Sequence, residues 1–406
     1  MRKLLALAFS FTAVTMFTSC DEDPSTDPVG NGNTLEGGLG VLVESNITSN
    51  TTWSADSIYI LGGRIAVVSG ATLTIEAGTI IKGEAGTGAN ATALLVAKGG
   101  TLNAVGTSSD PIIFTSVADK ITVGETISPN LTDDINGLWG GLIILGNARI
   151  SADNQSEQIE GIPATDANGL YGGTADDDNS GKIQYVSVRH GGANIGEGNE
   201  INGITFGGVG SGTVVDHIEV VANQDDGLEF FGGTVSVSHV LVWSNGDDAL
   251  DTDQAWAGTV DNFIIINPGD EAMELDGPEG SYQGAGHTIT NGSVYLGSAS
   301  GMIDFDENSD VNVTNVYFFG FTSAGQDIEE YAKYAANTKG FASSGFTVKL
   351  PTDLVDGDEN PITVTIADLF GDAATITTAG TTGFATKSEF SFTFASQSGA
   401  LTDIGL

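Results

Sequence analysis

The 406-residue sequence contains one cysteine, four histidines, and 13 lysines and arginines against 53 aspartates and glutamates. The lone thiol, Cys20, excludes a disulfide from the folded part and is no catalytic candidate. The formal net charge of −40 excludes nucleic acid, whose phosphates would be repelled. No lysine or arginine occurs between His190 and Ala332, so this stretch cannot hold anionic lipid either. Such a balance favours metal cations, basic partners or a salt-rich exterior; its plainest consequence is solubility. Long helical periodicity is nearly absent, which argues against a helical bundle or an α/β fold.

What the sequence has is repetition. V-D-H-I-E-V-V-A-N-Q-D-D-G-L-E-F-F starts at Val215. V-S-H-V-L-V-W-S-N-G-D-D-A-L-D-T-D follows at Val237, then V-D-N-F-I-I-I-N-P-G-D-E-A-M-E-L-D at Val260. A fourth row starts at Ile289 and closes with I-D-F-D at Ile303; a partial fifth starts at Val313. Each row is β-branched, turns through Asn or Gly and acids, then alternates again. Strand repeats this short define a solenoid. The 57 glycines suit short strands joined by tight turns.

The N-terminus carries Arg2 and Lys3, then an apolar Leu4–Phe17 run ending F-T-S-C at Cys20. This looks like a bacterial lipobox, with Phe17 where Leu is usual. It implies a signal peptide over residues 1–19 and lipidation at Cys20. Residues 20–38 read as a flexible tether. Residues 39–320 read as the solenoid and 321–406 as C-terminal coils and a cap, because a solenoid must cover its open end. The final alternation at Phe390–Phe394 reads as a strand, and Asp327–Ala336 as one short helix. A polar insertion at 151–180 is too long for a plain connection. It ends D-D-D-N-S-G, where Asp176, Asp178 and Ser180 partly match a calcium loop. Its twelfth position is Ser187 rather than glutamate, so an Asx-type turn is the competing reading. Trp139 reads as a cover beside a turn or as a ligand platform.

Stacking the rows sorts the side chains. Leu228, Leu250, Met273 and Ile303 share one inward column; Phe230, Thr252, Leu275 and Phe305 share another. Glu229, Asp251, Glu274 and Asp304 then face outward in one file, and Phe231, Asp253, Asp276 and Asp306 in the next. Like charges at this spacing raise one another's pKa unless offset. Calcium on Asp251, Asp253, Glu274, Asp276, Asp304 and Asp306 would offset them; a salt-screened acidic face is the alternative. The column His217, His239, Asn262, Asn291, Asn315 reads as a structural ladder, and His190 and His287 as turn residues. An outward apolar strip includes Trp243, Tyr295 and Tyr317. Either the insertion or the tail covers it, or its aromatic rings stack on sugars.

The phrases "LTIEAGTIIKG", "DPIIFTS", "GLWGGLIILGNA", "DDDNSGKIQYVSVRHGG", "NQDDGLEFFGGTV" and "NGDDALDTD" span Leu73 to Asp253. They resemble those of uncharacterised β-helix surface lipoproteins of the Bacteroidetes and, more distantly, the pectin-lyase superfamily. The resemblance implies an all-β, right-handed parallel β-helix with a C-terminal cap, anchored by lipid at the outer membrane and exposed on the cell surface. It carries no established activity. Two functions compete. One is a non-enzymic surface protein that binds a polysaccharide or a surface protein, possible calcium dependence included. The other is a polysaccharide-active enzyme, a glycoside hydrolase before a lyase. "GDDALD" is similar to the paired-Asp phrase of polygalacturonases and would make Asp247 and Asp248 catalytic. Lyases of the superfamily use an Arg or Lys base beside calcium, and the rows offer only Arg189, at their edge.

Overall fold

Apolar residues at every second position of each row become short parallel strands. The computed structural model describes residues 32–34, 40–195, 201–306, 308–329, 331, 345–355, 358–371 and 377–406. Cys20 and the expected signal peptide lie outside these residues, as does most of the expected helix at Asp327–Ala336. Within the expected tether, Gly32–Thr34 pairs antiparallel with Val41–Val43.

One sheet has eight parallel strands, in spatial order from Arg64–Val67 through Ala93–Val96, Leu142–Leu145, Ile204–Gly207, Leu228–Phe231, Leu250–Asp253 and Met273–Leu275 to Asp304–Phe305. Most of the remaining strands belong to one sixteen-stranded sheet that forms two further faces joined by a bend, while Glu157–Gln158 and Leu170–Tyr171 pair apart from it. The strand Gly181–Arg189 shows why. Its first half pairs with Thr101–Val105 and its second half with Ile112–Ser116. Between the halves Tyr185 has φ of 51°. The residues stacked on it, His217, His239, Asn262, Asn291 and Asn315, have φ between 54° and 60°. The left-handed region favours asparagine and tolerates histidine, so the His/Asn column is the bend itself. Its side chains also bond along the stack: Asn315 Nδ2 donates to Asn291 Oδ1 at 3.1 Å, and Asn291 Nδ2 to Asp261 Oδ1 at 2.7 Å. The rings of Tyr185, His217 and His239 stack at 4.3 and 4.2 Å. The ladder is therefore structural, as its asparagines suggest.

The inward columns fill the solenoid with one continuous apolar core. Phe206 and Phe230 stack at 5.1 Å, and Phe230 stacks on Trp256 at 4.1 Å. Trp139 is fully buried and donates its indole N–H to Arg189 O at 2.8 Å, so it is core and no platform. At the C-terminal end Phe346–Val348 and Thr377–Ala379 extend the sheet. Leu369 and Phe370, from the helix Ile366–Phe370, close the interior.

The last stretch departs from expectation. Phe390–Phe394 is no strand: Lys387–Phe390 is a 3₁₀ turn and Phe394–Ser398 a short helix with Thr393 as N-cap. Phe390, Phe394, Ala395 and Leu401 lie on Val221, Leu241, Trp243, Ile264 and Ile266. The tail thus covers the outward apolar strip. Glu219, fully buried in that strip, accepts the N–H groups of Phe394 and Ala395, each at 3.0 Å.

Candidate functional site

The eight-stranded sheet carries the site on its outer face, and register defines the outward file. Ala66, Leu95, Ile143, Thr205, Glu229, Asp251, Glu274 and Asp304 lie in successive strands as direct partners. The first half of the file is apolar up to the uncharged but polar Thr205, and the second half is acidic. The insertion covers the first half: Ile159, Ile162 and Tyr171 pack on Leu95, Ile143, Leu145 and Phe231. Its hairpin, Glu157–Gln158 with Leu170–Tyr171, stops where the acids begin. In the neighbouring file Phe231 pairs with Asp253, as the row alignment places them.

The acidic half is crowded and has no cation of its own. Burial, reinforced by Asp226 and Asp253, pushes the Glu229 carboxyl well above its usual range. Burial and then Glu229 do the same to Asp251. Asp253 rises to about 8 and Asp276 to about 7, from burial and then from their carboxylate neighbours. Glu274 is raised by burial too. Burial and mutual repulsion raise all of these groups, and no positive charge offsets them by stabilising the ionised forms.

The turn acids have a structural task. Asp226 Oδ1 accepts the N–H of Asp248 at 3.0 Å, and Asp248 Oδ1 accepts that of Glu271 at 2.7 Å. Asn223 and Asn245, one turn earlier in each row, donate to the carbonyls of Asp226 and Asp248 at 2.9 and 2.6 Å. Burial, the Asp226 charge and a hydrogen bond to Glu274 lift Asp248 to about 10. Asp248 is thereby a protonated bracket between coils. The repetition of D-D and D-E across rows is a turn rule.

A hard cation would find oxygen donors here. Asp226, Glu229 and Asp251 each place a carboxylate oxygen within 4.8 Å of the others, as do Asp225, Asp226 and Asp247. Among the described residues Asp253, Glu274, Asp276, Asp304 and Asp306 belong to no such set. The best-gathered oxygens thus sit at the start of the acidic half rather than along it. Asn202, missed in the sequence, donates its amide to Glu229, and its own Oδ1 is buried without a partner. An all-oxygen set with an orphaned amide oxygen suits calcium. A third set, Asp216 with His217 and His239, belongs to the bend ladder. There Asp216 Oδ1 holds His239 Nδ1 at 2.6 Å.

Other sequence candidates are placed elsewhere. Asp176 pairs with Arg149, and Asp178 accepts the N–H of Asn147 at 2.9 Å. Ser180 is buried, and Asn179 Oδ1 accepts Gly181 N–H at 2.8 Å. That is an Asx turn, so the calcium-loop reading of Asp176, Asp178 and Ser180 gives way to the turn. Trp243 is buried with its ring 5.6 Å from that of Phe394, and Tyr317 is buried against Phe319 at 4.9 Å. Neither offers an open face to a sugar. Tyr295 is half-buried beside the tail. Arg189 is fully buried: its Nε donates to Ser187 Oγ at 2.7 Å and its Nη1 to Thr126 O at 2.9 Å. It is no surface base. His190 and His287 do have partners: Ile135 O at 2.7 Å and Thr252 Oγ1 at 3.2 Å. Burial drives the His287 pKa to about 3.

A parallel β-helix with a partly roofed acidic face is a scaffold, and architecture alone does not assign its chemistry. A family model described as "Pectate-lyase like beta helix domain" matches residues 45–390. The chain belongs to that family. No curated protein and no solved structure matches the sequence.

Proposed function

We propose that the protein is a non-enzymic cell-surface scaffold, lipid-anchored through Cys20, that loads calcium on its acidic face and binds a glycan or a surface protein there. The observation that carries this reading is the outward acidic file from Glu229 to Asp304, with no lysine, arginine or histidine in it. Calcium held by Asp226, Glu229 and Asp251, with the orphaned Asn202 oxygen, would offset the burial and mutual repulsion that raise these carboxyls above their usual range. A calcium-loaded face presents charge to anionic or hydroxyl-rich ligands that bare carboxylates would repel. A glycan array probed with and without chelator tests this reading. Chelator-sensitive binding is expected, and calcium-independent binding, or none, contradicts it.

A hydrolase is the second reading, favoured by one observation: Asp253 and Asp276 hold protons to about pH 8 and 7, as a general acid must. Asp247 and Asp248 are the pair the sequence offers for it; the hydrogen bond from Glu271 N–H to Asp248 counts against Asp248 as a free catalytic carboxyl. A screen of plant, algal and host polysaccharides for new reducing ends decides it. Product formation that Asp253→Asn abolishes would displace the binding reading.

A further inference from the structure

Where the insertion stops, it leaves a cleft against the solenoid of about 600 Å³. That volume lies in the range of small-organic-ligand pockets, roughly 300–1,000 Å³, and far exceeds what one metal ion fills. Its floor is the buried pair Tyr171 and Phe231, with ring centroids 6.0 Å apart, and Gln254, whose Oε1 accepts the Tyr171 hydroxyl at 2.9 Å. Its walls are carboxylates from two parts of the chain: Asp153, Glu157 and Glu160 from the insertion and Glu279 from the facing loop. Glu157 is held in place by the backbone and side-chain amides of Asn154, at 3.1 and 2.7 Å. Among the described residues no lysine, arginine or histidine lines the cleft. Glu160 and Glu279 also help to raise Asp253, so cleft and file share one negative field.

The lining selects a chemistry. Carboxylates only accept hydrogen bonds, so a ligand must bring donors. Four of them around one cavity repel an anion such as a uronate and attract ammonium groups. Tyr171 and Phe231, both buried, give the cleft an apolar base against the carbon frame that carries those groups. We propose that this cleft binds a small organic polycation, a ligand bearing two or more ammonium groups on a carbon chain or sugar ring. Linear polyamines and de-N-acetylated amino sugars both have that chemistry. Binding does not require calcium on the file, since the walls belong to the insertion and the Glu279 loop; calcium weakens it through the shared field without abolishing it.

The test is calorimetric titration of the full chain with spermidine, the glucosamine trisaccharide and its N-acetylated counterpart, each in saturating calcium and again in chelator. Binding of at least one amine at one site is expected in both conditions, with none for the N-acetylated sugar. The tighter amine identifies the source. Raising salt from low to high screens the walls and weakens binding on the order of tenfold. The Glu160→Gln/Glu279→Gln double variant, isosteric and relieved of repulsion, keeps its thermal midpoint and loses a similar factor in affinity. Glu44→Gln, an exposed carboxylate in the first coils and outside both the cleft and the file, leaves binding unchanged. Equal binding of the N-acetylated sugar, failure of both amines, or a double variant that binds normally would overturn the proposal. Amine binding that persists without any calcium effect on the protein would uphold the cleft while removing the calcium reading.

Discussion

Asp226 Oδ1 accepts the backbone N–H of Asp248, one coil along, at 3.0 Å. Asp248 repeats the contact to Glu271 at 2.7 Å. Asp248, half of the pair that looks most catalytic in the sequence, is thus a rung that ties successive turns together, as is Asp226. Their lifted pKa values follow from burial beside other acids with no cation to relieve them.

Asp248 separates a structural carboxyl from a catalytic one. Its protonated form accepts from Glu271 N–H and is hydrogen-bonded to Glu274. Asparagine reproduces both contacts. Asp248→Asn is expected to leave the thermal midpoint at pH 7 unchanged or higher. Asp248→Ala, which strands the Glu271 N–H, lowers stability by about 1–3 kcal/mol in denaturant unfolding. Equal losses in both variants would contradict the bracket.

The carboxyls also fix the pH dependence of the metal-free protein. Asp276, Asp253, Glu271 and Asp248 sit at about 7, 8, 8 and 10 when folded. In the unfolded chain such groups titrate near 4. Between those limits the folded state binds more protons than the unfolded one, so stability falls as pH rises. Calorimetric scans in chelator are expected to show the midpoint dropping by several degrees from pH 5 to pH 9. Calcium at pH 8 should restore most of it. A midpoint that climbs with pH across this window would contradict the assignment.

The tail is clamped at a buried charge. Glu219 accepts two N–H groups of the tail helix, and Arg189 lies 3.7 Å from it with its guanidinium 4.8 Å from the Phe394 ring. Glu219→Ala leaves Arg189 buried without a carboxylate, a loss of roughly 3–5 kcal/mol. Limited proteolysis is expected to remove residues beyond about Thr386 early, with dye binding to the bared strip around Leu241 and Trp243. An unchanged cleavage pattern would count against the clamp.

Gly292 makes room for Phe263 in the coil below. A Cβ there would lie 2.0 Å from the tip of the Phe263 ring. Gly292→Ala is expected to cost about 1–3 kcal/mol through overpacking. Phe263→Leu in the same chain should recover part of that loss in denaturant titrations. A fully additive double variant would show that the two positions do not meet.

Much of this was legible because strand alternation is local. Leu228, Glu229, Phe230 and Phe231 reveal their facing within four residues, and the repeat aligns them with Leu250 to Asp253. The bend at Tyr185 was hidden, because a tyrosine in a left-handed position carries no sequence signal and only its stacked His and Asn neighbours betray it. The tail was misread for a related reason: Phe390, Phe392 and Phe394 alternate as a strand does, yet Thr393 caps a helix. Glu219 finds Arg189 and Phe394 only through register and a return of the chain from 175 residues away. Asn202 escaped because it lies outside the four aligned rows, and only pairing of its coil with the next brings it to Glu229.

A calcium-soaked crystal, measured at a wavelength where calcium scatters anomalously, addresses the acidic face most directly. The expected result is an ordered ion bonded to Asp226, Glu229 and Asp251, at about 2.3–2.6 Å from their oxygens, with the Asn202 amide turned to bring its oxygen inward. A face that carries only water at millimolar calcium, with Asn202 still donating to Glu229, would contradict the calcium-loaded scaffold.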